Sequence, residues 1–169
     1  MDQVAVVPMS RKNIRDIVKV FREASGLETV LYFPIVPFIE LILPTFGLEY
    51  EIISVTEMGD AYGVTHTGAN IMKIREDVYI RAIAGNPRDR FTLCHELGHF
   101  ILHTPERVSF ARGVVPTYMQ PEWQANAFAG ELMAPKELVM GMWPDEIAEK
   151  CGMSLKAAEI QYREYHRAM

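Results

Sequence analysis

The chain has 169 residues and a mass of 19.3 kDa, a size that favours one compact domain over two full domains. Its content of 49% hydrophobic and 23% charged residues is typical of a globular protein and excludes disordered, collagen-like and low-complexity chains. A net charge of −5 gives no basic footprint for the phosphate backbone, so we expect no direct binding to nucleic acid.

Cysteine usage and the apolar segments indicate the compartment. Cys94 and Cys151 are too few for a disulfide framework. The first residues, MDQVAVVPMSRKN, lack the basic start and apolar run of a signal peptide. Residues 30–43 are apolar, but they number about 14 and are interrupted by prolines and a glutamate, whereas a membrane-spanning helix needs about 20. We therefore expect a cytoplasmic protein with no membrane partner.

Two helices are predicted near the N-terminus. Ser10 can cap a helix over 11–24, whose apolar residues follow one helical face, and Gly26 suits a left-handed stop. Pro37, at a first-turn position, and Pro44 delimit a short and mostly buried helix.

The next segments are short, rich in β-branched and aromatic residues, and separated by turn formers. They are residues 49–55, 61–66, 71–75 and 78–82. This pattern predicts a small antiparallel sheet.

Helical spacing returns after a Gly-Asn-Pro breaker. It predicts a helix over about 88–103, a loop to about residue 121, and a second long helix over about 122–133 that a proline stops.

The C-terminal segment, 136–169, predicts two or three short helices, with Asp145 and Ser154 as N-caps. Its last part has the pattern of half a helix-turn-helix. The segment holds five lysines and arginines against six acidic residues, too little positive charge for DNA. It therefore predicts a helical cap or a protein-contact module.

The pentapeptide HELGH lies inside the predicted helix over 88–103. Residues four apart lie on one helix face, so the imidazoles of His95 and His99 can reach one metal ion. Glu96 is displaced by about 100° around the axis and lies beside that ion. There it can take a proton from the activated water and pass it to the leaving amine. The pattern predicts a catalytic site for zinc or another divalent metal.

The third ligand must come from outside the pentapeptide, because catalytic zinc usually takes three protein ligands. The candidates downstream are His103, Glu106, Glu122 and Glu131. His103 lies on the same face, but its Cα is about 12 Å from that of His95, and three successive turns cannot converge on one ion. We expect His103 to support a ligand or to pack. A metzincin site is excluded, because it needs a glycine and a histidine where this chain has a leucine and a proline.

Glu122 and Glu131 lie about 180° apart around the predicted helix over 122–133, so both cannot face one metal. Small residues along the face near the start of that helix let it approach closely, and Asn126 can orient a carboxylate or an imidazole. These features favour Glu122. The alternative interpretation of Glu122 is a solvated first-turn glutamate that the helix dipole stabilises.

The segments FTLCHELGHFILH (91–103) and EWQANAFAGELMAP (122–135) form a combination that is more specific than either alone. Together they resemble the ImmA/IrrE family of metallo-endopeptidases, which occurs in bacteria, phages and mobile elements. The second segment is similar to the family signature E-x-x-A-N-x-F-A-x-E-L-x-x-P.

The resemblance implies a zincin-like core. His95, His99 and Glu122 would bind one zinc ion, and Glu96 would be the catalytic acid and base. Several family members cut, or help to remove, a helix-turn-helix repressor, which implies a protein substrate of that class. In zincins an extended peptide pairs with an edge strand beside the metal. Residues 78–82 are the candidate strand, with an interior strand as the alternative.

We therefore predict an α+β fold in which the whole chain forms one metallopeptidase domain. N-terminal helices, a small antiparallel sheet and two packed helices that carry the ligands form a zincin-like core over 1–135, and 136–169 form the helical cap. The predicted function is zinc-dependent cleavage of a repressor. A non-catalytic anti-repressor or antitoxin-like module is the alternative, and hydrolysis of small peptides is a third. Tyr118, His66 and His103 are the possible donors to the oxyanion.

Overall fold

A computed structural model of the protein describes residues 2–167. The described chain begins with strand β1 (Asp2–Val6), which is not among the predicted elements, and continues with helix α1 (Arg11–Ala24), which has the predicted bounds. Ser10 caps α1: its hydroxyl accepts a hydrogen bond from the Asn13 amide, and the Asn13 side chain accepts one from the Ser10 amide.

The short helix predicted between the two prolines is present as three consecutive forms. Helix α2 (Ile35–Pro37) continues into a π-helical turn (Phe38–Ile42) and then a 3-10 turn (Leu43–Phe46). The prediction of a mostly buried segment holds only in part: one face is buried, whereas Leu41, Ile42 and Phe46 are exposed.

The sheet has three strands in the order β2 (Glu49–Ile53), β4 (Ile71–Arg75), β3 (Gly63–His66). Strands β3 and β4 are antiparallel as predicted, whereas β2 and β4 are parallel. The parallel pair arises because helix α3 (Val55–Met58) and β3 intervene between them in sequence.

The predicted strand over 78–82 is wrong. This segment lies in helix α4 (Glu76–Ile83), whose first turn carries two acidic residues, where the helix dipole favours them. Its buried side chains, Val78 and Ala82, are four residues apart and share one helix face. A five-residue apolar run fits both periods, and here the helical period applies.

Two long helices pack face to face: α5 (Pro87–Leu102) and α6 (Pro121–Met133). Gly98 of α5 permits their close approach. A Cβ atom at this position would lie 3.1 Å from the Phe128 Cβ and 3.2 Å from the Ala125 Cα. The two predicted long helices are confirmed within one residue at each end.

The segment between these helices is predicted as a loop, but it contains regular structure. It contains β5 (Val108–Arg112), which pairs antiparallel with β1, and 3-10 turns at Pro105–Arg107 and Thr117–Met119.

The C-terminal region is helical as predicted, with α7 (Lys136–Val139), α8 (Pro144–Cys151) and α9 (Leu155–His166). Ser154 caps α9 by accepting from the Ala157 amide. Asp145 is not an N-cap, because α8 begins one residue earlier, at a proline that suits the first helical position.

The buried guanidinium of Arg90 joins α5 to this region. It donates to the backbone carbonyls of Phe33, Cys151 and Gly152. The α+β fold with a helical C-terminal region is thus the one predicted. No helix within residues 2–167 has the length and apolar character needed to cross a membrane.

Candidate metal centre

Helix α5 presents the pentapeptide side chains as a cluster. Candidate ligand atoms of His95, Glu96 and His99 lie within 4.8 Å of one another, and the two Nε2 atoms are 3.0 Å apart. Both imidazoles are largely buried, with 15% and 17% of their side-chain surfaces exposed.

Glu122, in the first turn of α6, faces both imidazoles. Its Oε2 lies 3.1 Å from the His95 Nε2 and its Oε1 lies 3.1 Å from the His99 Nε2. The close packing of α5 and α6 places this carboxylate opposite the histidines although 71% of its side-chain surface is exposed.

Glu96 is held on the other side, against β3. Its Oε2 accepts a hydrogen bond of 2.7 Å from the Thr65 hydroxyl. Gly63 leaves room for it, since a Cβ there would lie 2.9 Å from the Glu96 Cγ. Burial raises the pKa of Glu96, and the Thr65 hydrogen bond acts in the opposite direction. The environment of Glu96 therefore favours holding a proton.

A chain of hydrogen bonds fixes the tautomer of His99. The Gln124 Nε2 donates to the Val7 and Tyr118 carbonyls, both at 2.8 Å, which directs its Oε1 to the His103 Nε2 at 3.0 Å. The His103 Nε2 therefore carries a proton, and its Nδ1 accepts a hydrogen bond of 2.9 Å from the His99 Nδ1–H. The His99 Nε2 is left with a lone pair directed at Glu122.

His95 is oriented in the same sense. Its Nδ1 lies 2.8 Å from the Asn126 Oδ1, an acceptor, so the Nδ1 carries a proton and the Nε2 is directed at Glu122. Burial and the neighbouring His95 and His103 lower the pKa of His99 to about 3. Burial also lowers the pKa of His103. These two imidazoles are therefore neutral near pH 7.

Two Nε2 atoms therefore face the oxygens of one carboxylate at 3.1 Å, and the Nε2 of neutral His99 has no proton to donate. A lone pair of His99 thus meets a carboxylate oxygen, and a cation among these atoms would relieve that repulsion. Two imidazole nitrogens and one carboxylate are a donor set of catalytic zinc, and other divalent first-row metals accept it too. The residues present fit a metal ion.

The other two glutamates considered as a third ligand lie away from the cluster. Glu131, at the far end of α6, is 1% exposed and accepts from Arg11, Arg15 and the Tyr165 hydroxyl at 2.9, 3.1 and 2.7 Å. Glu106 lies in the 3-10 turn after α5 and is exposed.

The possible oxyanion donors are also placed. Both nitrogens of His103 are occupied by His99 and Gln124, so His103 has no free donor to offer. The Tyr118 side chain is 50% exposed, and its carbonyl accepts from Gln124. His66 is an exposed residue at the end of β3.

Thr65, Gly63 and Gln124 are contributors that the sequence did not indicate. Thr65 and Gly63 lie in a four-residue strand with no motif. Gln124 stands between two motif residues, but its carbonyl partners lie in distant segments.

Strand β3 is the edge strand beside the cluster. This is the role predicted for residues 78–82. The Arg75 amide donates to the Tyr62 carbonyl at 3.0 Å. Because hydrogen-bonded positions alternate along an antiparallel pair, the backbone groups of Gly63 and Thr65 point away from β4. They form an open edge next to Glu96.

Comparison with known proteins places the chain in a family. The family profile described as the IrrE N-terminal-like domain (Peptidase_M78) matches residues 46–162, well over half of the chain, and extends into the last helix. None of the curated proteins gives a match.

A solved structure, a Mycobacterium tuberculosis transcriptional regulator, has a similar fold. Its TM-score is 0.54 and its identity 14%, and the match covers 86% of this chain and 45% of the regulator. The chain thus spans less than half the length of that protein. With the HELGH helix, the facing α6 and the match over 46–162, the chain belongs to the metallopeptidase-like IrrE N-terminal-like family.

Proposed function

We propose that the protein is a zinc-dependent endopeptidase that hydrolyses a peptide bond in a protein substrate, a helix-turn-helix repressor. The observation that carries the proposal is the convergence of the His95 and His99 Nε2 atoms on the Glu122 carboxylate, with Glu96 held apart beside them. In this proposal His95, His99 and Glu122 hold the metal. When bound, zinc supplies Lewis acidity for the scissile carbonyl and the attacking water.

Glu96 moves the proton. Its carboxylate takes a proton from the attacking water and passes it to the leaving nitrogen. Burial favours the protonated form that this second transfer requires. Thr65 holds one carboxylate oxygen, which keeps the side chain on the β3 side of the cluster.

The open edge of β3 supports a protein substrate. An extended segment can add to this edge through the backbone groups of Gly63 and Thr65, which places its next peptide bonds beside Glu96. The repressor class comes from the family resemblance. The name of the solved structure with this fold, a transcriptional regulator, agrees with it.

The Glu96→Gln variant tests the proposal. Wild type and variant, each loaded with zinc, are incubated with a proteome-derived peptide library and with full-length helix-turn-helix repressors, and new termini are mapped by mass spectrometry. We expect both to bind one zinc ion. We expect cleavage by the variant to fall by a factor of about a thousand or more, because proton transfer is lost.

Glu106→Gln is the matched control, an exposed glutamate outside the cluster, and it should cleave like wild type. Equal cleavage by Glu96→Gln would exclude the proposed mechanism. If Glu96→Gln still binds zinc and still relieves repression in cells, the protein is a binding module. Turnover of short peptides without any cleaved repressor would indicate a small-peptide hydrolase.

A further inference from the structure

A cavity of about 890 Å³ lies beside the metal centre, lined by residues of α5, α6 and α9. Two residues of its wall adjoin the centre. Asn126, which contacts the His95 Nδ1, is in its wall. Tyr62, which precedes the open edge of β3, is also in its wall. A segment paired with β3 therefore extends into this cavity at the Tyr62 end.

Part of the cavity wall is apolar. Phe91, Trp123 and Ile160 supply large apolar surfaces, and Ile160 is 40% exposed. The volume is within the range of sites that enclose most of a ligand. Such walls bind a bulky apolar side chain and gain little from a small polar one.

The rim of the cavity is cationic. Its charged residues are Arg11, Arg81, Arg88, Lys156 and Asp89, four cations against one acid in a chain whose net charge is −5.

Two of these cations are already paired within the chain, Arg11 with Glu131 and Arg81 with Asp89. Arg88 and Lys156 are exposed, and neither forms a salt bridge within the part of the chain that the structure describes.

The local helices do not explain these two cations. Arg88 lies in the first turn of α5 and Lys156 in the first turn of α9, where the helix dipole favours acidic side chains. Their charges are therefore available to a partner.

We propose that this cavity is the substrate subsite of the metal centre, and that it selects a segment with a bulky apolar side chain flanked by acidic residues. The apolar side chain packs between α5, α6 and α9, and the acidic residues pair with Arg88 and Lys156 at the rim. The proposal rests on the proposed endopeptidase function and adds its specificity. It also gives α9, in the C-terminal cap, a role in recognition.

A charge reversal tests the subsite by cleavage. The double variant Arg88→Glu/Lys156→Glu, with zinc, is compared with wild type on a proteome-derived peptide library, and residues around each cleaved bond are counted. We expect acidic residues beside a large apolar residue in wild-type cleavage sites. We expect at least a tenfold shift toward lysine and arginine in the variant. Both glutamates would lie in first turns, where they favour the helix, and circular dichroism checks the fold.

Lys19→Glu/Lys150→Glu is the control, because it changes the net charge equally at two exposed residues outside the cavity. It should keep the wild-type preference. An acidic preference that Arg88→Glu/Lys156→Glu leaves unchanged, or no acidic preference in wild type, would overturn the proposal.

A binding measurement separates this proposal from the catalytic one. Fluorescein-labelled nonapeptides centred on Glu-Phe-Glu, Lys-Phe-Lys or Glu-Ser-Glu are titrated with the zinc-loaded Glu96→Gln protein, and anisotropy is followed. We expect the first to bind at least tenfold more tightly than the others, with the preference for acidic residues lost on reversal of Arg88 and Lys156. If the acidic peptide binds most tightly but wild type cleaves nothing, the endopeptidase proposal is refuted and the cavity remains a peptide-binding site. If wild type cleaves protein substrates but the three peptides bind equally well, only the proposed subsite is refuted.

Discussion

Helix α6 carries two glutamates in opposite surroundings. Glu131, near its end, is buried and accepts hydrogen bonds from Arg11, Arg15 and Tyr165, all of which are donors. Glu122, near its start, is mostly exposed and faces the Nε2 atoms of two imidazoles. The first carboxylate is satisfied by the chain itself, whereas the second is left to solvent or to a bound cation. Partners, more than burial, distinguish a structural carboxylate from a ligand.

The largest effect should come from Glu122→Gln. We expect it to weaken zinc binding by more than about a hundredfold, because a ligand is worth more than the groups that support it. Glu131→Gln, on the same helix, should leave zinc affinity unchanged. Competition with a chromophoric chelator measures both, and equal losses in the two variants would contradict the division of roles.

Without metal, the loss of stability should be larger for Glu131→Gln than for Glu122→Gln. Glu131→Gln leaves two arginines without their buried anion, so we expect unfolding free energy to fall by about 3 kcal/mol. Glu122→Gln should change it by less than about 0.5 kcal/mol, as at most exposed positions. Urea denaturation in the presence of a chelator makes the comparison.

Two buried glutamines extend the comparison to the supporting residues. Gln124→Met removes the oxygen that sets the His103 and His99 tautomers, and we expect zinc affinity to fall about ten- to hundredfold. Gln161 accepts from Arg11 and donates to Tyr165 in the Glu131 network. Gln161→Met should therefore lower stability and leave zinc affinity as it is. If these tautomers did not matter for metal binding, Gln124→Met would bind zinc as tightly as wild type.

Glu96 is a third case, a carboxylate held by one hydroxyl group. Thr65→Val should lower kcat about tenfold, the order of one hydrogen bond to a charged group, with KM little changed. Thr65→Ser keeps the hydroxyl and should restore the rate. Steady-state kinetics on one cleaved peptide separates the two parameters, and a Ser variant as slow as Val would indicate a packing role.

The smallest effect concerns pH. Burial and the nearby Glu131 raise the pKa of Tyr165 far above its ordinary value. The native state therefore binds more protons than the unfolded chain above about pH 10, and stability falls as pH rises there. From pH 9 to 11, wild type should lose about 1 kcal/mol more unfolding free energy than Tyr165→Phe. Urea titrations at a series of pH values make the comparison, and equal losses in the two proteins would contradict this assignment.

Local patterns were sufficient for the pentapeptide and the helices that carry it. Spacing by four places His95 and His99 on one face of a helix whether or not the fold is known. The small residues of α6 indicated the close approach that brings Glu122 to them.

Contacts between residues far apart in the sequence could not be predicted from such local patterns. Strands β1 and β5 are five residues each and pair across most of the chain, and the carbonyls that orient Gln124 belong to Val7 and Tyr118. The segment 78–82 was misassigned because a run this short has no distinctive period. Neither the edge role of β3 nor its contact with Glu96 follows from the residues of either segment alone.

The absence of a side chain at position 98 has a further consequence. The separation of α5 and α6 is set there by the Ala125 backbone and the Phe128 side chain. In the proposed site, the ligand side chains of the two helices would thus be brought together by this packing before an ion binds. A methyl group introduced by Gly98→Ala would act at a distance, by changing how far apart the two halves of the coordination sphere are built.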